Sequence, residues 1–151
     1  MKVSEALGEI VWLMSQSPLH KGFFISDLEW MIMTPVLLGQ FRLFHGPAQQ
    51  QPVPAPVPTT IAPATGSQPQ QPIGVMLWGL VSEEVEERLK QGVLKLRPQD
   101  WRSGDRLWVV EVIAPFGGAE AMLQDFKTNV FPDRPASFVK LGAKGKEVGV
   151  L

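Results

Sequence analysis

Apolar positions along the chain recur either every three to four residues or in unbroken runs, and the two patterns separate helices from strands. Over residues 4–15, Ala6, Leu7, Ile10, Leu13 and Met14 share one helical face, with Ser4 placed to cap it. Trp12 stands at the edge of that stripe and is assigned to the core. Ser17-Pro18 then predicts a short helical turn that holds His20 and closes at Gly22. Ser26 and Glu29 have capping-box spacing and predict a second helix to about Met33, stopped by Pro35. Trp30, Met31 and Met33 make it apolar nearly all round, so it is buried or lines an apolar cavity.

Strands are expected over residues 40–45 and 73–81. Ser82 caps a helix through Lys90, with Val85 and Leu89 inward and Glu83, Glu84, Glu86 and Glu87 outward. A short strand over 93–96 leads to the turn Ser103-Gly104-Asp105. Residues 107–113 are apolar and largely β-branched, the signature of a strand buried on both faces. Pro115 ends it, and Gly117-Gly118 opens onto an amphipathic helix over 119–130 carrying Met122, Leu123, Phe126 and Val130. A strand over 138–141 and a ragged glycine-rich strand complete the chain.

Between the first two strands the composition changes. Residues 46–72 hold eight prolines and neither charge nor aromatic ring, so they cannot pack a core and are expected to be disordered or extended. An insertion at a hairpin tip is the preferred reading and a docking segment for an SH3-like groove the alternative. The chain is therefore read as one domain, residues 1–151, carrying this loop.

Composition mainly excludes. A net charge of −1 argues against nucleic-acid binding, and the absence of cysteine rules out thiol nucleophiles and disulfides. His20 and His45 are the only histidines, too few for a three-histidine metal site, and His45 reads as a solvated loop residue. No apolar run reaches the ~20 residues that span a bilayer. Glu5 and Glu9 interrupt the N-terminal apolar pattern, unlike a secretory leader, so a soluble cytoplasmic protein is expected.

One position in the central strand does not fit its surroundings. Glu111 interrupts the 107–113 run, and a charge there costs several kcal/mol unless it is partnered or wet. An acid in a buried strand beside a glycine-rich turn is a common way to build an active site.

Two segments carry a family resemblance: Ser15-Gln16-Ser17-Pro18-Leu19-His20, and Ser103-Gly104-Asp105-Arg106-Leu107-Trp108 followed by Ile113-Ala114-Pro115-Phe116-Gly117. With LGEIVWLM before the first and Asp100-Trp101 before the second, the chain resembles the toxin-activating lysine acyltransferases that partner RTX protoxins of Gram-negative bacteria. The resemblance covers roughly residues 6–45 and 73–141. It implies an α+β, GNAT-like fold with a central, mostly antiparallel sheet flanked by helices. It also implies transfer of a fatty acyl group from acyl carrier protein to internal lysines of a protoxin in the cytoplasm, a homodimer, and no tightly bound cofactor.

The family's catalytic pair, a histidine in the SPLH segment and an aspartate on the strand after SGDR, falls on His20 and Glu111; the glutamate is a departure, one methylene longer. A family asparagine before the helix-ending proline is replaced by Ile32, and the C-terminus is shorter. His20 is the side chain suited to accept the proton of a lysine amine, with Glu111 fixing its tautomer. An acyl-histidine intermediate is the other route. Backbone N–H groups at Gly117 and Gly118 are candidate oxyanion donors. Ser17, Trp30, Met33, Trp78 and Trp108 are the remaining expected substrate-binding residues, the last four lining an acyl slot. A non-catalytic relative that holds a protoxin or carrier protein is the alternative reading.

Overall fold

The computed structural model describes residues 1–47, 70–93, 95–142 and 145–151. One five-stranded mixed sheet runs in sequence order through β1 (Phe41–Pro47), β2 (Gln70–Val81), β3 (Arg106–Ile113), β4 (Ser137–Gly142) and β5 (Gly145–Val150). All neighbouring pairs are antiparallel except β3 and β4, whose connection carries a helix across the sheet and so returns the chain in the same direction. The helices are α1 (Val3–Gln16), α2 (Thr34–Leu37), α3 (Glu83–Lys90) and α4 (Ala119–Asp125), giving an α+β protein.

Both faces of β2 and β3 are covered, which is why these strands are apolar at nearly every position. On one face Ala6, Ile10, Leu13 and Met14 of α1 pack with Val75, Leu77, Trp108, Val110 and Ile113. On the other, Met122 and Phe126 at α4 pack with Met76, Trp78, Leu107 and Val109.

Local chemistry moves several expected boundaries. Helix α1 starts after Lys2, two residues earlier than a Ser4 cap requires, and the Glu5 carboxylate accepts the Lys2 backbone N–H at 3.1 Å. Trp12 is 38% exposed at the rim, against Phe116 with ring centroids 5.9 Å apart, rather than in the core. Asp27, not Ser26, organises the start of the second helical segment, its Oδ2 accepting the Phe24 N–H at 2.8 Å. Pro35 does not stop that segment. The chain widens into a π-turn over Glu29–Met33 and runs on as α2, because wider spacing accommodates the N–H that proline lacks.

The strand expected over 93–96 is irregular at the described positions, with Leu96 fully buried in the α1-side core. Strands β1 and β2 stay paired out to Pro47 opposite Gln70, so both ends of the proline-rich stretch are strand; the remainder of 46–72 lies outside the described residues. His45 is exposed as expected, but it lies in β1 rather than in a loop, with Nε2 2.8 Å from Glu9 of α1. Glu86 turns inward to accept the indole N–H of Trp108 at 2.8 Å and an Arg106 guanidinium N–H.

The most buried acid is Asp100, 2% exposed. It accepts the Arg97 backbone N–H at 2.9 Å and guanidinium N–H groups from Arg97 and Arg88 at 3.2 and 3.0 Å. Burial alone would raise its pKa, but these donors outweigh burial and hold it below its usual 3.8. The unfolded chain therefore takes up this proton first on acidification. Stability from Asp100 is complete above pH 3.8 and drains away as pH falls through the lower folded value. Asp100→Ala is expected to cost about 3 kcal/mol in urea unfolding at neutral pH, with a smaller gap to wild type in strong acid. An equal gap at both pH values would contradict the linkage.

Candidate active site

The site begins where α1 ends. Ser17 leaves the helix with extended backbone, and its carbonyl accepts the N–H groups of His20 and Lys21 at 3.0 and 2.9 Å. Pro18 pre-sets the first φ of this turn, so the His20 ring swings back under the helix and is 7% exposed. Ser17 Oγ lies 2.6 Å from Nδ1, and Nε2 lies 2.9 Å from Oε1 of Glu111. The Phe23 ring stacks on the imidazole at 5.9 Å.

Glu111 reaches His20 because β3 is bulged. Leu77 pairs with Glu111 but Trp78 pairs with Val109, leaving Val110 as an extra residue. Strict alternation would put Glu111 on the side of Leu107 and Val109, which face α4. The bulge inverts the pattern, so Val110, Glu111 and Ile113 serve the α1 side, and a side chain is re-aimed beside a functional centre. The longer glutamate closes to hydrogen-bonding distance there.

These contacts order the imidazole. An ionised carboxylate only accepts, so Nε2 carries the proton toward Glu111, and Nδ1 keeps a lone pair that accepts the Ser17 hydroxyl. In that tautomer the remaining lone pair of the ring points at the Ser17 hydroxyl.

A cavity of about 140 Å³ opens at His20, walled by Val11, Met14, Phe23 and Phe24 and rimmed by Lys21. It shares Ile25 and Leu28 with a second hollow of about 530 Å³ lined by Met33, Leu37 and Pro98. Ser17, His20 and Glu111 are therefore brought together, with Met33 further along. Trp30 stands behind Phe23 with ring centroids 6.3 Å apart, its indole N–H donated to Asp27.

The other expected site residues lie elsewhere. Trp78 packs between Phe126 and Phe131 in the α4-side core, and Trp108 is buried in the α1-side core and bonded to Glu86. Neither lines the two hollows. Gly117 and Gly118, both with positive φ, line a different hollow of about 230 Å³ with Phe44 and Met122, and the Gly117 N–H is taken by the Ala114 carbonyl. Neither glycine lines the cavity at His20. Ile32 is fully buried in the α1-side core.

Sequence reasoning read Ser17 as a turn former and a substrate-binding residue and missed its bond to the imidazole, although the three-residue spacing within one turn was the signal. It also passed over the exposed run Phe23-Phe24-Ile25. Among the described residues, no three acidic or histidine side chains cluster to hold a metal ion, and no helix is long and apolar enough to cross a membrane.

Comparison with known proteins places this geometry in context. The chain is 28% identical over 142 residues to an uncharacterised protein, sll0720, of Synechocystis, covering 94% of this chain and 83% of the relative. It is 27% identical over 133 residues to the lysine-acyltransferase RtxC of Vibrio cholerae, covering 86% and 71% respectively. It is 26% identical over 143 residues to the protein-lysine myristoyltransferase HlyC of Escherichia coli, covering 95% and 71%. The profile of the RTX toxin acyltransferase family matches residues 1–57 and 65–150, both segments of the His20–Glu111 site included, and the chain belongs to that family.

Proposed function

We propose that this protein transfers a fatty acyl group from acyl carrier protein to the ε-amine of internal lysines in an RTX protoxin. The observation that carries the reading is His20 Nε2 held 2.9 Å from Glu111 beside an apolar cavity, in a chain whose relatives are named lysine acyltransferases. A lysine ammonium, with pKa about 10.4, must lose a proton before it attacks. In this reading the ammonium proton is lost to solvent, the free amine takes the place of the Ser17 hydroxyl at Nδ1, and as it attacks it gives a second N–H proton to His20. The amine nitrogen bonds to the thioester carbonyl carbon, the carbon–sulfur bond breaks, and the carrier thiolate leaves with the proton from the imidazolium. Glu111 stabilises the imidazolium between those steps.

The same reading takes the fold as GNAT-like, the working unit as a cytoplasmic homodimer, and the reaction as needing no tightly bound cofactor. A purely binding role would need no imidazole pinned between a hydroxyl and a carboxylate, so that contact favours the enzyme over a non-catalytic relative.

Incubation with myristoyl-charged acyl carrier protein and an RTX protoxin is expected to add acyl mass to protoxin lysines. No mass increase on any lysine would sink the proposal. His20→Ala is expected to slow transfer by about 10²–10⁴-fold while leaving the circular dichroism spectrum unchanged. Glu111→Gln is expected to slow it about 10²-fold or more. In nitrogen-15 NMR, His20 should appear as the Nε2–H tautomer and lose that preference in Glu111→Gln; an unchanged tautomer would remove Glu111 from its orienting role.

A further inference from the structure

Beyond the proton transfer, the surface around His20 has a direction. We infer that the groove running from His20 past Ile25 and Leu28 to Met33, Leu37 and Pro98 is the bed of the donor's acyl chain, and that its far end sets the chain length transferred. The inference rests on the acyltransferase reading above and concerns the geometry of its donor.

Continuity is the first ground. The cavity at His20 and the larger hollow share Ile25 and Leu28, so one apolar path leads away from the imidazole. A thioester carbonyl placed for attack beside His20 must send its hydrocarbon tail along some surface, and this one is continuous. The hollow at Gly117 and Gly118 shares no lining residue with it and belongs to the α4 side.

Exposure is the second ground. Phe24, Ile25 and Leu37 are 76%, 88% and 64% exposed, large apolar groups gathered along one groove rather than scattered. The loop that presents them is built. Asp27 accepts the Phe24 N–H and the Trp30 indole N–H, and the Phe24 and Ile25 carbonyls accept the N–H groups of Asp27 and Leu28.

Charge gives the path its polarity and favours an acyl chain over an anionic lipid lying along it. Lys21 rims the His20 end, where the carrier's phosphate-bearing arm would enter, and Glu29 lines the far hollow, where a chain ends in an uncharged methyl.

The test offers the enzyme an equimolar mixture of acyl carrier proteins charged with laurate, myristate, palmitate and stearate, and reads by mass which chains reach protoxin lysines. Leu37→Trp shortens the groove at an exposed position and is expected to raise the laurate-to-palmitate ratio about tenfold, since one or two methylenes in an apolar pocket discriminate by that much or more. Leu37→Ala should move the ratio the other way. Ratios unchanged in both variants would overturn the inference. A second arm measures binding of the fluorescent fatty acid cis-parinaric acid to the His20→Ala protein, with and without Ile25→Asp. Binding weakened tenfold by the aspartate supports the groove, and equal binding overturns it. Wild-type protein that transfers no chain at all would defeat the acyltransferase reading itself, whereas transfer with unchanged ratios or equal binding defeats the groove alone.

Discussion

A carboxylate on a central strand is tolerable only if something meets it, and here one imidazole does. The contact between Glu111 and His20 joins positions 91 residues apart and ties the end of α1 to the middle of the sheet. It exists because β3 carries one extra residue. Were Val110 paired regularly instead of bulged, strict alternation would turn the acid to the α4-side core with Leu107 and Val109, where burying an unpartnered charge is costly. The same backbone irregularity that serves the site thus also removes a folding penalty.

Other buried acids brace the scaffold around this contact. Burial works to raise the Glu86 pKa, but the Trp108 indole and the Arg106 guanidinium lower it further than burial raises it. That acid fixes α3 to β3 directly beside the strand's apolar core. Asp100 fastens the turn before Trp101 to α3 through Arg88. Gln40 bridges the Trp78 and Trp101 carbonyls at 2.9 and 3.0 Å and accepts from Arg102, joining the start of β1 to the chain that enters β3. The strand bearing Glu111 is held from both neighbours, so its side chain needs little reordering to meet the ring.

Much of this was legible in sequence. The α1 stripe, the Ser82 cap and the doubly buried central strand follow from spacing alone, and the Ser82 hydroxyl does accept the Val85 N–H at 3.3 Å. The His20–Glu111 pairing was reachable through resemblance, because its two segments are distinctive. What stayed hidden depends on three-dimensional context. The bulge leaves no mark in an unbroken apolar run. The π-turn before Pro35 is a backbone solution that proline statistics do not anticipate. Trp78 and Trp108 read as candidate groove linings because tryptophan serves cores and ligand sites alike, and only packing decides between them. Glu86 looked solvated because its partners, Arg106 and Trp108, lie 20 and 22 residues away.

The paired mouth of the β1–β2 hairpin has a mechanical consequence. Pro47 and Gln70 sit opposite each other in register, so whatever chain joins them departs and returns at adjacent points. Its length can change with only a slowly growing entropic charge at closure and no shift in how β2 aligns with β3. His45, clasped to Glu9 near that mouth, anchors the hairpin to α1. Evolution can therefore graft or trim sequence at this port while the imidazole and its acid feel no strain.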